Sequence, residues 1–257
     1  MNKLHIQIDY CLEFKSAFHF GTGLRNGLIH RAIAKDKDDF LYVPGSTLKG
    51  VVRDKCEQIL GLFELSAHEP HTEISRLYEA HPQPTLISRI FGSRFQPGTV
   101  YFDDANLVDA QKAWFESPSS NKDTKDEKRS EYRARQIEQR TQVSLSRLTR
   151  TAQPGALYHS EYGMHGLTFH GEIKGVLKGT PLLDVSGNFP LLVLAAGLLS
   201  IDRIGGNKST GAGEVDCSIL ENQLKVNGED IQIDDLLEEL PYLDKEFYTE
   251  LREEAFS

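Results

Sequence analysis

The sequence predicts an α+β fold, and the order of its predicted elements is the main reason. Polar and apolar residues alternate in several segments, as they do in strands that bury one face. Two helical segments are separated by two of these strands. The six elements cover approximately residues 4–14, 46–62, 99–102, 167–174, 188–201 and 214–226. Strand, helix, strand, strand, helix, strand is the order of a ferredoxin-like fold, here with inserted loops.

The strands are predicted from a period of two residues. In the first strand, every second residue is apolar, and its predicted buried face consists of Leu4, Ile6, Ile8, Tyr10, Leu12 and Phe14. Leu167, Phe169 and Ile173 alternate in the same way with polar neighbours. Successive side chains of a strand point to opposite faces, so both segments are expected to have one face in the core.

The stretch Tyr42–Arg53 predicts a strand end, a Pro-Gly turn and the start of the first helix. Ser46 or Thr47 is the expected N-cap, which would accept a hydrogen bond from a free backbone N–H group. Lys49 and Arg53 are four residues apart and share one face near the positive end of the helix. Such a helix start is suited to phosphate. An ordinary N-capped amphipathic helix with solvated basic residues explains the same pattern.

The second helix is expected to begin at Asn188, with Pro190 in its first turn, where the missing N–H does no harm. The segment Gly205–Gly213 follows it as a glycine-rich loop that contains Lys208. Such a loop can lie flat against a phosphodiester chain and expose its N–H groups. It is not a nucleotide P-loop, because the spacing differs and the loop lies between helix and strand.

Several segments are predicted to be insertions. Residues 24–39 and 63–88 are predicted loops, the second with one short helix, and residues 116–135 have the composition of a mobile segment. A ribbon rich in Ser, Thr and Arg over residues 143–158 predicts a hairpin with a break at Gln153–Gly155. The tail from Ile231 is expected to form a short acidic helix.

Composition narrows the class of protein. A chain of 257 residues can form one large or two small domains. Its three scattered cysteines form no disulfide framework, and no signal peptide is apparent, so we expect a cytoplasmic protein. The net charge of −9 argues against nucleic acid, but residues 139–160 contain no acid while Arg140, Arg147 and Arg150 lie there.

Four motifs occur in the order found in the RAMP superfamily. They are residues 42–50, the Arg89–Gly92 segment, residues 98–105 and the glycine-rich loop. The sequence resembles the backbone-type RAMP subunits of type III CRISPR effector complexes. The resemblance implies a ferredoxin-like (RRM-like) palm with a projecting thumb hairpin. It divides the chain into a RAMP domain, 1–228, with palm 1–115 and 166–228, mobile charged insertion 116–139 and thumb 140–165, followed by an acidic tail, 229–257.

The resemblance also implies partners and binding residues. The partners would be guide RNA, target RNA and other RAMP subunits, and no membrane. Phosphates of the guide would be held at the first helix and at the glycine-rich loop, and the arginines of the hairpin are further candidates. The predicted RNA-binding residues are Ser46, Thr47, Lys49, Arg53, Arg147, Arg150, Gly205, Gly206, Lys208, Ser209 and Gly211. The aromatic motif of true RRMs is missing, so RNA should be held by its backbone.

One position departs from the family pattern. Members that cleave target RNA carry a metal-binding Asp where this chain has His30. Neutral imidazole is a poor ligand for Mg²⁺, so we expect no tightly bound cofactor, and Mg²⁺ only if target RNA is cut. Two alternatives stay open. In the first, the chain is a metal-dependent target-RNA endonuclease, and His30 is the catalytic candidate. In the second, the chain is a metal-independent endonuclease that processes repeat RNA, and His30 is one of several candidates for its acid or base.

A second group of residues includes possible zinc ligands, but a zinc site is the weaker interpretation of this group. Cys56, His68, His71 and His81 include two ligand types, but their spacing fits no closed site well. Cys56 lies in the predicted buried stripe of the first helix. We therefore predict a structural cysteine and no metal.

Overall fold

The computed structural model of the chain describes residues 2–23, 29–63, 86–93, 97–116, 133–146, 148–179 and 187–242. Arg147, the three histidines of the zinc hypothesis and residues 117–132 of the predicted mobile insertion lie outside these ranges. In the described residues, no helix is long and apolar enough to cross a membrane.

The described residues form strands and helices in a mixed order. The elements before the hairpin are β1 (Asn2–Phe14), β2 (Ile29–Arg31), β3 (Tyr42–Val43), α1 (Gly45–Leu62), α2 (Leu86–Phe91), β4 (Val100–Phe102), β5 (Ala105–Leu107) and α3 (Asp109–Glu116). The elements that follow are β6 (Ile137–Leu145), β7 (Ala152–Gly163), β8 (Thr168–Gly179), α4 (Phe189–Leu199), β9 (Val215–Val226), β10 (Glu229–Asp230) and α5 (Ile233–Glu238).

The main sheet has seven strands in the described residues, in the order β10-β9-β1-β8-β5-β3, and β4 also pairs with β8. All of its pairs are antiparallel. Ile8 of β1 lies opposite Ile173 of β8 and Leu224 of β9, and all three are buried. The predicted alternation of β1 is confirmed, because its even-numbered residues from Leu4 to Phe14 form part of the core.

Helices α1 and α4 complete the core. Helix α4 is buried at every residue from Phe189 to Leu198, which explains why its sequence is apolar all round. Its predicted cap is confirmed, since Asn188 Oδ1 accepts the Leu191 N–H at 3.0 Å. Cys56 of α1 is also buried, and its Sγ lies 3.3 Å from the Val193 carbonyl oxygen. Burial raises the pKa of the Cys56 thiol, as expected for a structural cysteine.

The hairpin forms a second sheet, in the order β2-β7-β6. The predicted break at residues 153–155 is not the turn of the hairpin, because these residues lie within β7, where the pairing with β6 is interrupted. The chain turns earlier, where the Arg150 N–H bonds the Ser146 carbonyl at 2.8 Å. Pairing shifts between Val143, opposite Leu157, and Leu145, opposite Ala152. The Pro-Gly signal therefore marks an irregularity of the strand, where a missing N–H is tolerated.

The segment that forms β2 was expected to lie in a loop. Three residues form it, and it pairs in parallel with β7, with Ile29 opposite His159. Its partner is 130 positions away in the sequence, so the local pattern contains no sign of it. This pairing attaches the segment that carries His30 to the hairpin.

Candidate nucleic-acid interface

The glycine-rich loop is held by backbone hydrogen bonds. Ile204 N–H donates to the Gly213 carbonyl at 2.8 Å, and Gly213 N–H donates to Ala17 at the same distance. Two left-handed residues, Asn207 (φ 61°) and Gly211 (φ 89°), flank a 3-10 turn over Lys208–Thr210. Gly206, Lys208, Ser209 and Gly211 are exposed. The loop thus presents a cation and backbone groups to solvent.

Three segments meet beside this loop, and we call their meeting point the loop junction: residues 17–21, residues 161–162 of β7, and the glycine-rich loop. The Gly206 N–H donates to the His19 carbonyl at 2.9 Å, and His19 Nδ1 lies 2.7 Å from the Glu161 carbonyl oxygen. The Asn207 amide donates to the Tyr162 hydroxyl. The junction connects the base of the hairpin to the glycine-rich loop.

Two arginine–tyrosine pairs extend from the junction along the hairpin. The Arg140 guanidinium carbon lies 4.6 Å from the centre of the Tyr162 ring, and Arg31 lies 5.6 Å from that of Tyr158. Both arginines are exposed. A guanidinium over an aromatic ring is a common element of single-strand binding surfaces. An ion pair of Arg140 with Glu138 at 3.0 Å reduces the local positive charge.

The start of α1 differs from the prediction. The flanking residue is Pro44 and makes no side-chain cap, and Ser46 and Thr47 lie in the first turn. Asp104 caps the helix instead, because its Oδ1 accepts the Gly45 N–H at 2.7 Å. A carboxylate already occupies part of the positive helix end, which lowers its attraction for phosphate.

Lys49 and Arg53 share a face, as predicted. Arg53 Nε donates to Glu57 Oε1 at 2.9 Å, and its Nη1 lies 3.5 Å from the Gly92 carbonyl oxygen. Burial and the neighbouring Arg53 lower the pKa of Lys49. Arg53 is thus engaged within the protein, whereas the described residues contain no ion pair of Lys49.

The hairpin turn carries Arg150, which is exposed and has a positive φ of 54°. No hydrogen bond between Arg150 and the loop junction occurs in the described residues. Apart from Arg147 and Arg150 of the predicted hairpin, the predicted RNA-binding residues divide into two groups. Gly205, Gly206, Lys208, Ser209 and Gly211 share one loop, while Ser46, Thr47, Lys49 and Arg53 share α1.

His30 lies in β2 and contacts β7. Its Nδ1 accepts the backbone N–H of His159 at 3.4 Å, and the two rings are 6.5 Å apart. His159 Nδ1 in turn lies 2.9 Å from Thr141 Oγ1. With Nδ1 acting as an acceptor, the neutral His30 ring carries its proton on Nε2. His30 Nε2 is then a hydrogen-bond donor rather than a base.

The surroundings of His30 do not fit Mg²⁺. No group of three or more acidic, His or Cys residues that could hold a metal occurs in the described residues. The nearby Asp36 closes its own loop, since its Oδ1 accepts the N–H groups of Asp38 and Phe40 at 2.8 and 2.9 Å. Mg²⁺ prefers oxygen ligands in octahedral geometry, which this segment lacks.

We call the face of the main sheet opposite the helices the outer face. Its charges differ from those at the loop junction. Asp9 of β1 lies opposite Glu172 of β8. Lys174 Nζ lies 2.9 Å from Asp103 and 2.8 Å from Glu172, so its charge is compensated. The outer face therefore carries both acids and lysines, and its central Lys174 is ion-paired.

Sequence reasoning missed His19, Arg31, Asn207 and the two tyrosines. Tyr158 and Tyr162 are four positions apart in β7, so their shared face could have been inferred from the strand period. Arg31 could not, because its contact with Tyr158 depends on the pairing of β2 with β7.

Comparison with known proteins identifies the family. The model of the RAMP superfamily matches residues 11–216. The chain belongs to the RAMP superfamily. A search of curated proteins found no significant match.

Two solved structures have a similar fold. One is a chain of type III-B Cmr-beta in the apo state, with a TM-score of 0.56 and 12% identity, over 84% of this chain and 98% of that one. The other is a chain of type III-B Cmr-beta bound to cognate target RNA, with a TM-score of 0.53 and 13% identity, over 90% and 98% of the two chains.

Proposed function

We propose that the chain is a guide-RNA-binding backbone subunit of a type III CRISPR interference complex, where it presents guide RNA for pairing with target RNA. Membership of the RAMP superfamily supports this function. The fold similarity to chains of type III-B Cmr-beta, one of them bound to cognate target RNA, is consistent with it. The partners would be guide RNA, target RNA and other RAMP subunits.

The proposed architecture is a ferredoxin-like palm with a thumb. The strand order β9-β1-β8-β5, with α1 between β1 and β4 and α4 between β8 and β9, is consistent with that topology. The palm would be 1–115 and 166–228, and the thumb 140–165. The acidic residues 229–257 would lie outside this domain.

One observation carries the proposal: the loop junction brings exposed Lys208 close to exposed Arg140, and exposed Arg31 lies further along the hairpin. Lys208 follows Asn207, which bonds Tyr162, and Tyr162 contacts Arg140. On the outer face of the sheet, in contrast, two carboxylates compensate the charge of Lys174. A chain with a net charge of −9 can bind a polyanion through such a local surface.

The alternative of an RNA endonuclease has less support in the described residues. The acceptor role of His30 Nδ1 leaves no free lone pair on that ring for a general base. The surroundings also do not fit Mg²⁺, so we propose that this subunit needs no cofactor to bind guide RNA.

Titration of the full chain with a fluorescent single-stranded RNA at several salt concentrations tests the proposal. The logarithm of the binding constant should fall linearly with the logarithm of the salt concentration. Lys208→Ala and Arg140→Ala should each weaken binding and reduce this slope by about 0.7 for one lost phosphate contact. Guide sequence should have little effect.

Lys112→Ala is the matched control, because Lys112 lies on α3 and pairs with Asp109 at 3.6 Å. Its affinity and salt slope should equal those of the native chain. Absence of RNA binding, or equal effects of all three substitutions, would contradict the proposed function.

A further inference from the structure

His19 is a nearly buried histidine at the loop junction, and the residue is 8% exposed. It belongs to the segment that follows β1, and its ring lies 5.6 Å from the Tyr162 ring. Its backbone carbonyl accepts the Gly206 N–H. The imidazole is therefore enclosed between the base of the hairpin and the glycine-rich loop.

The hydrogen bond of Nδ1 determines the tautomer of this ring. Nδ1 lies 2.7 Å from the Glu161 carbonyl oxygen, which can only accept, so Nδ1 must carry the proton. In the neutral ring, Nε2 then carries a lone pair and acts as an acceptor. Among the described residues, none forms a hydrogen bond with Nε2.

Two glycines leave this edge of the imidazole uncovered. A Cβ atom at Gly21 would lie 3.0 Å from Nε2, in the position of a ligand of its lone pair. A Cβ atom at Gly206 would lie 3.5 Å from Cδ2. Any other residue at position 21 would thus cover the acceptor, whereas glycine lets a small polar group approach it.

The chemistry of the acceptor selects its ligand. A phosphate oxygen is itself an acceptor and gains nothing from a lone pair on Nε2. A ribose 2′-hydroxyl carries a proton that it can donate. Exposed Lys208, two positions after Gly206 in the same loop, is suited to the phosphate next to such a ribose.

We propose that His19 Nε2 accepts a hydrogen bond from a ribose 2′-hydroxyl of the strand bound at the glycine-rich loop, and that it selects RNA over DNA at this nucleotide. The inference rests on the proposed function. It adds a residue that determines which nucleic acid is bound, beside the cations that hold the phosphates.

The test compares the affinities of the full chain for single-stranded RNA and for DNA of the same sequence. His19→Asn keeps an amide N–H at the position of Nδ1, so the bond to Glu161 can form, but it lacks the Nε2 acceptor. This substitution should lower the ratio of RNA to DNA affinity about three- to tenfold, the effect of one lost hydrogen bond. Affinity for DNA should not change.

Gly21→Ala is an independent test, because it keeps the imidazole and covers Nε2. Its backbone is outside the left-handed region, so alanine adds no backbone strain, and its Cβ atom, 3.0 Å from Nε2, should lower the ratio by a similar factor. Gly61→Ala is the glycine control, since no atom lies within 4 Å of its added Cβ, and it should leave the ratio unchanged. Thermal unfolding verifies that each variant is folded.

Each outcome has one meaning. A native chain that binds RNA and DNA equally, or a ratio that both substitutions leave unchanged, would overturn the inference and leave the proposed function standing. Equal weakening of both nucleic acids would make His19 purely structural. A native chain that binds neither would overturn the proposed function as well.

Discussion

At the scale of single residues, His30 illustrates how one hydrogen bond limits chemistry. The bond from the His159 N–H directs the lone pair of Nδ1 into the protein. The remaining Nε2–H can donate to a phosphate oxygen, but it cannot accept a proton. The position where the resemblance implies a metal ligand is thus occupied by a neutral donor.

The first prediction concerns cleavage of target RNA. An assembled complex that contains the native subunit and Mg²⁺ should not cut target RNA at this subunit, and His30→Ala should behave in the same way. His30→Asp restores a carboxylate that Mg²⁺ prefers and should create a cut at a defined site. Gel analysis of labelled target RNA detects it. If the native subunit cuts and His30→Ala abolishes the cut, His30 is catalytic.

A second residue-scale prediction concerns Asp9. Burial and the facing Glu172 raise its pKa, with smaller opposing effects from Lys225 and Lys174. A carboxyl whose pKa is higher in the folded state stabilises the fold while protonated, below its unfolded pKa of about 3.8. That contribution is lost as the pH rises through the folded pKa.

Asp9→Asn should therefore raise the unfolding temperature at pH 7, by about 1–3 °C for one relieved like-charge pair that solvent screens. The gain should disappear near pH 3.5. Differential scanning fluorimetry at both pH values measures it, with exposed Asp230→Asn as the control. An equal gain at both pH values would exclude charge as the cause.

At the scale of elements, the hairpin is attached to the main body by a buried amide. Gln136 has no exposed surface and precedes β6. Its Oε1 accepts the Leu41 N–H at 3.0 Å, and its Nε2 lies 2.8 Å from the Arg133 carbonyl oxygen. Removing the side chain would leave a buried N–H without a partner, which is costly.

Gln136→Ala should lower the free energy of unfolding by about 1–3 kcal/mol. It should also weaken RNA binding, since the hairpin base helps to form the loop junction. Chemical denaturation measures the first effect, and exposed Gln139→Ala in the same strand is the matched control. Equal stability of the two variants would show that the amide does not anchor the hairpin.

At the scale of the whole molecule, charge is distributed unequally between two surfaces. The loop junction and hairpin carry exposed Lys208, Arg140 and Arg31, whereas Lys174 at the centre of the outer face lies between two carboxylates. Carboxylates also raise the pKa of Lys174. An acidic protein can bind RNA if the strand follows the first surface and avoids the second.

Charge reversal tests this division. Lys208→Glu should weaken RNA binding about tenfold, because it removes a phosphate contact and adds repulsion. Lys174→Glu or Lys225→Glu on the outer face should have little effect. Anisotropy titrations at constant salt measure the RNA affinities of these variants. A larger effect at the outer face would place RNA across the sheet.

Much of the main sheet could be predicted from local patterns. The alternation of β1, the Asn188 cap of α4 and the extent of α1 are confirmed, because each depends on neighbours within a few positions. The glycine-rich loop was also found between α4 and β9. These features depend on period, caps and turn residues, which a sequence displays directly.

The remaining features depend on residues that are distant in the sequence. The cap of α1 comes from Asp104, which is 59 positions from Gly45, and His19 meets Glu161 across 142 positions. No local pattern records such contacts, since they form only when the sheet and hairpin pack. Local sequence patterns were sufficient for most strands of the main sheet, for both core helices and for the family. Long-range packing is needed to show which polar atoms of the described residues are already bonded, and which, such as His19 Nε2 and Lys208 Nζ, have no partner among those residues.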